Sequence, residues 1–316
     1  MPTGITLIGD KLLISYGEGD CKCKCLILNK FEVHKLLTSN SNPSFLTESM
    51  NITHIGYYGE YNCGDDAFME VFKYLYLGTP HKYKFSDRYL FGQKTDICVL
   101  GGGDVINDYF VKSIPDNVNS IAVGIGIPYD EFIPMLKRFC AVYLRNKKDQ
   151  NIASNTHYIP DLTFLLPKIY DHKFDWDSNG KSIGIMLPRT LYNKDFTDLY
   201  KMFCNQIAIF ANMASSNGFK IVFIPFCIHP EKYEENDFLI IQDIAKSLNF
   251  TPEIFTPGNN YVKDIYFKVS QMTFNICTRF HAHIFSTIHA VPFISLTCGK
   301  KCIDYMSAIP DCLFKM

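Results

Sequence analysis

From residue 52 onward the chain alternates short apolar runs with segments of helical period, and it does so in two successive series. In the first series the runs 52–57, 97–100, 120–125, 141–144 and 158–162 read as strands, and 65–77 and 131–140 as helices. In the second, strands are expected at 182–186, 220–225, 273–277 and 293–296, with helices at 195–215, 237–248, 262–271 and 281–289. Strands alternating with helices of this length predict parallel sheets built from right-handed βαβ units. Between the series, 171–181 crowds Asp, Asn and Gly and reads as a linker. Its Asp175-Trp-Asp177-Ser-Asn179-Gly180 imitates the first half of a calcium loop. The glutamate expected at the twelfth position is Met186, so a turn is predicted instead. The predicted fold class is α/β, with two Rossmann-like domains (51–170 and 182–316) facing a cleft. An added β-rich element, 1–50, with strands at 5–7, 11–16 and 21–28, precedes them.

Composition allows this. A length of 316 residues suits two domains of roughly 150 each, and 47% hydrophobic against 20% charged residues can bury a sizeable core. A net charge of -1 gives no basic excess for nucleic acid. No apolar run approaches the ~20 residues of a membrane helix. The first ten residues lack the basic start and apolar stretch of a signal peptide, so a cytoplasmic protein is expected. The sequons at Asn51 and Asn249 would matter only in a secretory compartment. Of the twelve cysteines, Cys98, Cys140, Cys204, Cys227 and Cys277 sit singly in apolar runs and read as small buried side chains. Cys21, Cys23 and Cys25 alternate with period two and would share one strand face. Three thiols without a CxxC partner do not make a closed zinc site, so no metal and no disulfide framework are expected.

Ligands of open α/β sheets bind beyond the carboxyl ends of the strands, so the loops after each strand carry the functional expectations. Four stand out. Gly56-Tyr-Tyr-Gly59-Glu-Tyr-Asn62-Cys-Gly64-Asp65-Asp66 joins a strand to a helix. Its glycines let backbone approach a ligand and the helix start offers N–H groups to an anion, although an ordinary capped turn would look the same. Asp96 opens a strand ending in Gly101, Gly102 and Gly103, followed by Asp104. Three residues without side chains imply a close neighbour, either ligand or loop; the run is neither a P-loop nor GxGxxG. Arg189 follows the first strand of the second series, where a planar guanidinium suits carboxylate or phosphate, or a surface ion pair. Last, Thr278-Arg279-Phe280-His281-Ala-His283 turns a strand directly into a helix. Arg279, His281 and the helix start together suit a phosphorylated acid, while His283 faces elsewhere and reads as structural.

The order of these four pieces resembles the polysaccharide pyruvyl transferase family over about 52–305. The matching motifs are the Gly-Tyr-x-Gly…Asn-x-Gly-Asp loop at 56–65 and the Gly-Gly-Gly strand end. Arg145 stands where the family has Arg-Asp, with Asn146 in place of the acid. Pro160-Asp161-Leu162, Arg279-Phe280-His281-Ala282, Val291-Pro292 and Lys300-Lys301 complete the order. Phe280 replaces the usual leucine, and Cys298-Gly stands where a tyrosine often precedes the lysine. The resemblance implies a GT-B-like fold, phosphoenolpyruvate as donor, a sugar or glycan acceptor and a pyruvate ketal as product, with no metal or cofactor. It implies donor contacts at Asp65, Arg189, Arg279, the Phe280 backbone and His281, and the matching motifs add Gly101, Gly102, Gly103, Asn62 and Lys301 as expected substrate contacts. The chemistry of ketal formation makes His281, as acid or phosphate ligand, and Asp65, as base or acid, the expected catalytic groups. Two other readings stay open: a glycosyltransferase of the same fold using a nucleotide sugar, and an inactive glycan-binding relative. The absence of glutamate from 279–305 argues against a retaining glycosyltransferase, and the basic and imidazole groups argue against the inactive relative.

Overall fold

The computed structural model describes residues 49–90, 92, 94–170, 180–189, 197–296 and 299–308, together with the backbone of three strands within 2–29. The side chains of Cys21, Cys23 and Cys25, Cys298, Thr190, most of the expected linker (171–179) and the start of the helix expected at 195 lie outside the described residues. The chain forms two compact units, Met1–Ser49 with Gly78–His81, and Met50–Leu77 with Lys82–Met316. In the first, strands β1 (Pro2–Ile8), β2 (Lys11–Glu18) and β3 (Lys22–Asn29) form an antiparallel sheet in the order β1-β2-β3.

The second unit holds two parallel sheets. One contains β4 (Asn51–Ile55), β5 (Lys82–Ser86), β6 (Ile97–Gly103), β7 (Ser120–Ile125), β8 (Val142–Leu144) and β9 (Thr156–Tyr158), in the order β5-β4-β6-β7-β8-β9. The other contains β10 (Ser182–Met186), β11 (Lys220–Phe223), β12 (Glu253–Ile254), β13 (Phe274–Cys277) and β14 (Phe293–Ser295), in the order β12-β11-β10-β13-β14. The main helices are α1 (Cys63–Leu75), α2 (Thr197–Ser216), α3 (Asp237–Ala245), α4 (Tyr261–Ser270), α5 (Phe280–Ile288) and α6 (Lys300–Ala308). Both faces of each sheet are covered, which is why the strands read as continuous apolar runs. Along β6, Cys98 and Leu100 join a core with Ile55, Phe110 and Leu136, while Val99 joins the opposite one with Ile52, Phe68 and Phe72.

Helix α1 is the piece that fixes the site. Phe68 and Phe72 pack on its own sheet, while Cys63, Ala67 and Val71 enter a core shared with Val262, Ile265 and Tyr266 of α4 and Ala282 and Phe285 of α5. Large apolar side chains buried in this way contribute about 1.5–3 kcal/mol each. The helix therefore draws the carboxyl ends of the two sheets together. Cys63 N–H donates to Phe226 O at 2.8 Å, and Asn62 pairs with Cys227 in an antiparallel bridge.

Four details differ from the sequence reading. The helix expected at 131–140 is a 3-10 run, Asp130–Arg138, because Pro134 inside it has no N–H for an α-helical bond. The strand expected at 158–162 ends at Tyr158, where Pro160 follows. Asp161 then accepts from Thr163 N–H at 3.0 Å and caps the 3-10 turn Leu162–Leu165. Strands β5 and β12 and helix α6 were not expected; β12 has two residues and β5 is largely exposed, so neither shows a strong apolar pattern. Cys140, expected to be buried, is exposed. Among the described residues no helix is long and apolar enough to cross a membrane.

Candidate active site

The first turn of α1 and the first turn of α5 meet. Asn62 caps α1, its Oδ1 accepting from Gly64 N–H at 3.3 Å. A Cβ on Gly64 would lie 1.9 Å from His281 Nδ1, so the imidazole rests directly on the Gly64 backbone. His281 stands edge-on to Phe68 and Phe280, with centroids 5.7 and 5.2 Å away. Its buried Nε2 makes no hydrogen bond and lies 3.8 Å from Asp161 Oδ2. Burial lowers the His281 pKa from 6.5 to about 3, outweighing the nearby Asp161, so the ring is neutral at physiological pH.

Asp65 faces the end of β6. Gly103, with φ 89°, keeps its backbone where a Cβ would sit 2.5 Å from Asp65 Oδ1. Among the described residues the Asp65 carboxylate has no hydrogen bond or ion pair. Burial raises its pKa from 3.8 to about 6; Lys301 and Arg145 work against the rise and Asp104 adds to it. Its neighbour Asp66 turns the other way and accepts from Gly59 N–H at 2.6 Å, holding the loop. Burial raises that carboxyl to about 7 against the pull of the Gly59 hydrogen bond.

Around this pair lies a connected set of ions. Arg145, whose side chain is 3% exposed, donates to Asp104 Oδ1 at 2.7 Å and Asp161 Oδ2 at 3.3 Å. Its guanidinium lies 4.3 Å above the Phe280 ring. Lys301 Nζ reaches Asp104 Oδ2 at 2.9 Å from α6. Burial opposes the charged form of Asp104, yet Arg145 and Lys301 together hold its carboxyl well below the usual carboxylate range. Arg279 occupies the N-cap position of α5 and grips Asp237 with two N–H groups, Nε at 3.2 Å and Nη2. Asp237, fully buried at the start of α3, also accepts from the backbone N–H of Arg189, Phe226 and Cys227 at 2.9, 3.1 and 3.0 Å.

The structure thus brings together Asp65, Gly103, Arg279, Phe280, His281 and Lys301. Gly101 and Gly102 accommodate α1 instead, since Cβ atoms there would press on Phe72 and Phe68. Asn62 acts as a cap. Arg189 contributes its backbone N–H to Asp237, while its guanidinium is held by Asp243 at 3.2 Å and Tyr200 at 2.5 Å, on the side of α2 and α3. His283 is satisfied at both nitrogens, by Arg279 O and Ser295 Oγ, each at 2.7 Å. Sequence reasoning missed Asp237 as a functional group. Its local signal is only that of a helix start behind the Asn236 cap. Among the described residues no three His, Cys, Asp or Glu side chains are grouped to hold a metal ion.

Chemically, the arrangement sets the cationic side chains Arg279 and Lys301, and the start of α5, beside a carboxyl whose proton is exchangeable near neutrality. Residues 60–300 match the polysaccharide pyruvyl transferase family. No curated protein matches the chain. Among solved structures, UDP-GlcNAc 2-epimerase from Neisseria meningitidis bound to UDP-GlcNAc is similar with a TM-score of 0.53 and 12% identity, over 83% of this chain and 86% of that one. The Methanocaldococcus jannaschii UDP-GlcNAc 2-epimerase in complex with UDP-GlcNAc and UDP gives 0.54 and 12%, over 82% and 87%. S. aureus MnaA with UDP gives 0.55 and 12%, over 82% of each chain. These likenesses concern the fold, which is the GT-B-like arrangement of two parallel sheets with helices.

Proposed function

The chain belongs to the polysaccharide pyruvyl transferase family, and from that premise we propose that it transfers a pyruvyl group from phosphoenolpyruvate to a sugar or glycan, forming a ketal and releasing phosphate. The reaction needs a proton at C3 of the donor, which makes C2 electrophilic. One sugar hydroxyl then adds to C2, phosphate departs with its electron pair, and a second hydroxyl closes the ring. One proton is taken up at C3 and two hydroxyl protons are released, one restoring the acid and one leaving with phosphate.

The observation that carries this reading is Asp65. An unpartnered carboxyl raised to about 6 can hold a proton near neutral pH and give it up in the transition state. Arg145, Lys301 and Arg279 lie close enough to bias its charge, and Lys301 and Arg279 are the cations left to hold the donor's carboxylate and phosphate. Arg279 keeps donors beyond those given to Asp237, because a guanidinium has five. His281, neutral as it stands, has a buried, unpartnered Nε2 that becomes a phosphate ligand only if donor binding opens a path to it; the phosphate's charge would then raise its basicity.

The test is phosphate release from phosphoenolpyruvate against a panel of sugars, with mass analysis of the product, beside heat stabilisation by phosphoenolpyruvate and by UDP-sugars. Phosphate release that depends on a sugar, with a ketal product, is the expected result. Stabilisation by a UDP-sugar and none by phosphoenolpyruvate would transfer the protein to nucleotide-sugar chemistry.

A further inference from the structure

Beside the site, the loop after β4 and the loop after β11 meet in a second cluster. Tyr61 adopts φ 54°, a left-handed backbone that costs any residue with a Cβ. The conformation is held in place: Tyr61 O accepts Ile228 N–H at 3.0 Å, and the next residue forms the bridge to Cys227. Glycine would take this conformation without strain. The tyrosine is not there to fill the core either, since it is 45% exposed. Its ring stands 6.1 Å from those of His229 and Tyr261.

Polar groups surround it. Lys232 Nζ and His229 Nε2 reach the same oxygen of Glu60, Oε2, at 2.6 and 3.1 Å. His229 Nδ1 accepts from Glu231 and Lys232 N–H, so Nε2 carries the proton. Glu60 Oε1 is left with no hydrogen bond among the described residues. Tyr57 OH donates to Glu235, which precedes the Asn236-Asp237 start of α3. The cluster is therefore joined by backbone to α1, which carries Asp65, and to α3, whose Asp237 positions Arg279.

An exposed aromatic ring near a partly exposed carboxylate matches a pyranose: the ring packs on the sugar's C–H face and the carboxylate accepts from a hydroxyl. We propose that Tyr61, with Glu60 beside it, forms the subsite for the acceptor sugar, a site that rests on the pyruvyl-transfer reading. Strain at Tyr61 then has a reason, because the backbone that ties this loop to Ile228 also leaves the ring partly exposed.

Strain also supplies a variant that will fold. Tyr61→Gly relieves the backbone, so its melting temperature should equal or exceed the parent's. The experiment measures calorimetric binding of the nitrophenyl glycosides of galactose, glucose, mannose and N-acetylglucosamine to the full chain, with phosphoenolpyruvate titrated separately. The parent should bind at least one glycoside. Tyr61→Gly should weaken that binding at least roughly tenfold while phosphoenolpyruvate affinity stays put, and Tyr61→Phe should keep it. Glu60→Gln should weaken it as well. Absence of glycoside binding by the parent, or equal binding by Tyr61→Gly, overturns the subsite. If glycosides bind through Tyr61 and phosphoenolpyruvate does not bind at all, the sugar site stands and the donor assignment falls.

Discussion

Asp65 and Asp237 stand at the carboxyl ends of the two parallel sheets, each in the first turn of a helix, and they are opposites. Asp237 receives three backbone N–H groups and both arms of the Arg279 fork. Asp65 receives none, and Gly103 lets backbone press against it. A saturated buried carboxylate holds neighbours in place; an unsatisfied one is left with chemistry to perform. The second sheet thus supplies the rigid half of the site and the first sheet the reactive half.

Breaking the rigid half should have the largest effect. Asp237→Ala leaves a half-buried guanidinium and three N–H groups without their partner. It should cost about 3–5 kcal/mol in urea unfolding. Phosphoenolpyruvate affinity should fall with it, because Arg279 loses its orientation. A loss below about 1 kcal/mol would make the pair no stronger than a surface contact and remove the contrast.

Asp65→Asn has the opposite signature. It keeps the shape and deletes the proton, so turnover should fall about 10²–10⁴-fold with phosphoenolpyruvate binding retained. Because the folded state raises this carboxyl to about 6, its ionised form opposes folding above that pH. The variant should therefore be more stable than the parent at pH 8, by roughly 1 kcal/mol once solvent exposure is allowed for. Normal turnover by Asp65→Asn would move the acid elsewhere, with His281 next.

The smallest effect sharpens the comparison through pH. Burial lowers His54 and His281 to about 3 and His283 to about 4. Below pH 6.5 the unfolded chain takes up protons that these rings refuse, so stability falls as pH drops toward 4. Asp65 and Asp66, raised to about 6 and 7, bind protons in the folded state over the same range and offset part of that fall. Asp65→Asn removes one offset, so its unfolding free energy should drop more steeply with acid between about pH 6 and 4. Equal slopes for parent and variant would contradict the raised carboxyl.

Local pattern determined much of this protein. Alternating apolar runs and helical periods indicated most strands of both parallel sheets, and the glycines at 101–103 marked a strand end with a close neighbour; that Asn62 caps α1 is seen only in the structure. The resemblance of motif order indicated the family. These signals are short-range: a cap, a period or a glycine acts within a few residues of itself. Tertiary structure alone decided which charges meet. Arg279 finds Asp237 across 42 residues and Arg145 finds Asp104 across 41, because parallel strands bring distant carboxyl ends side by side. It also separated His281 from His283, two residues apart on one helix. One imidazole lies against Gly64 of another helix with an empty nitrogen, while the other is satisfied by its own turn and β14. Spacing cannot tell them apart, since the difference lies in what packs against each face.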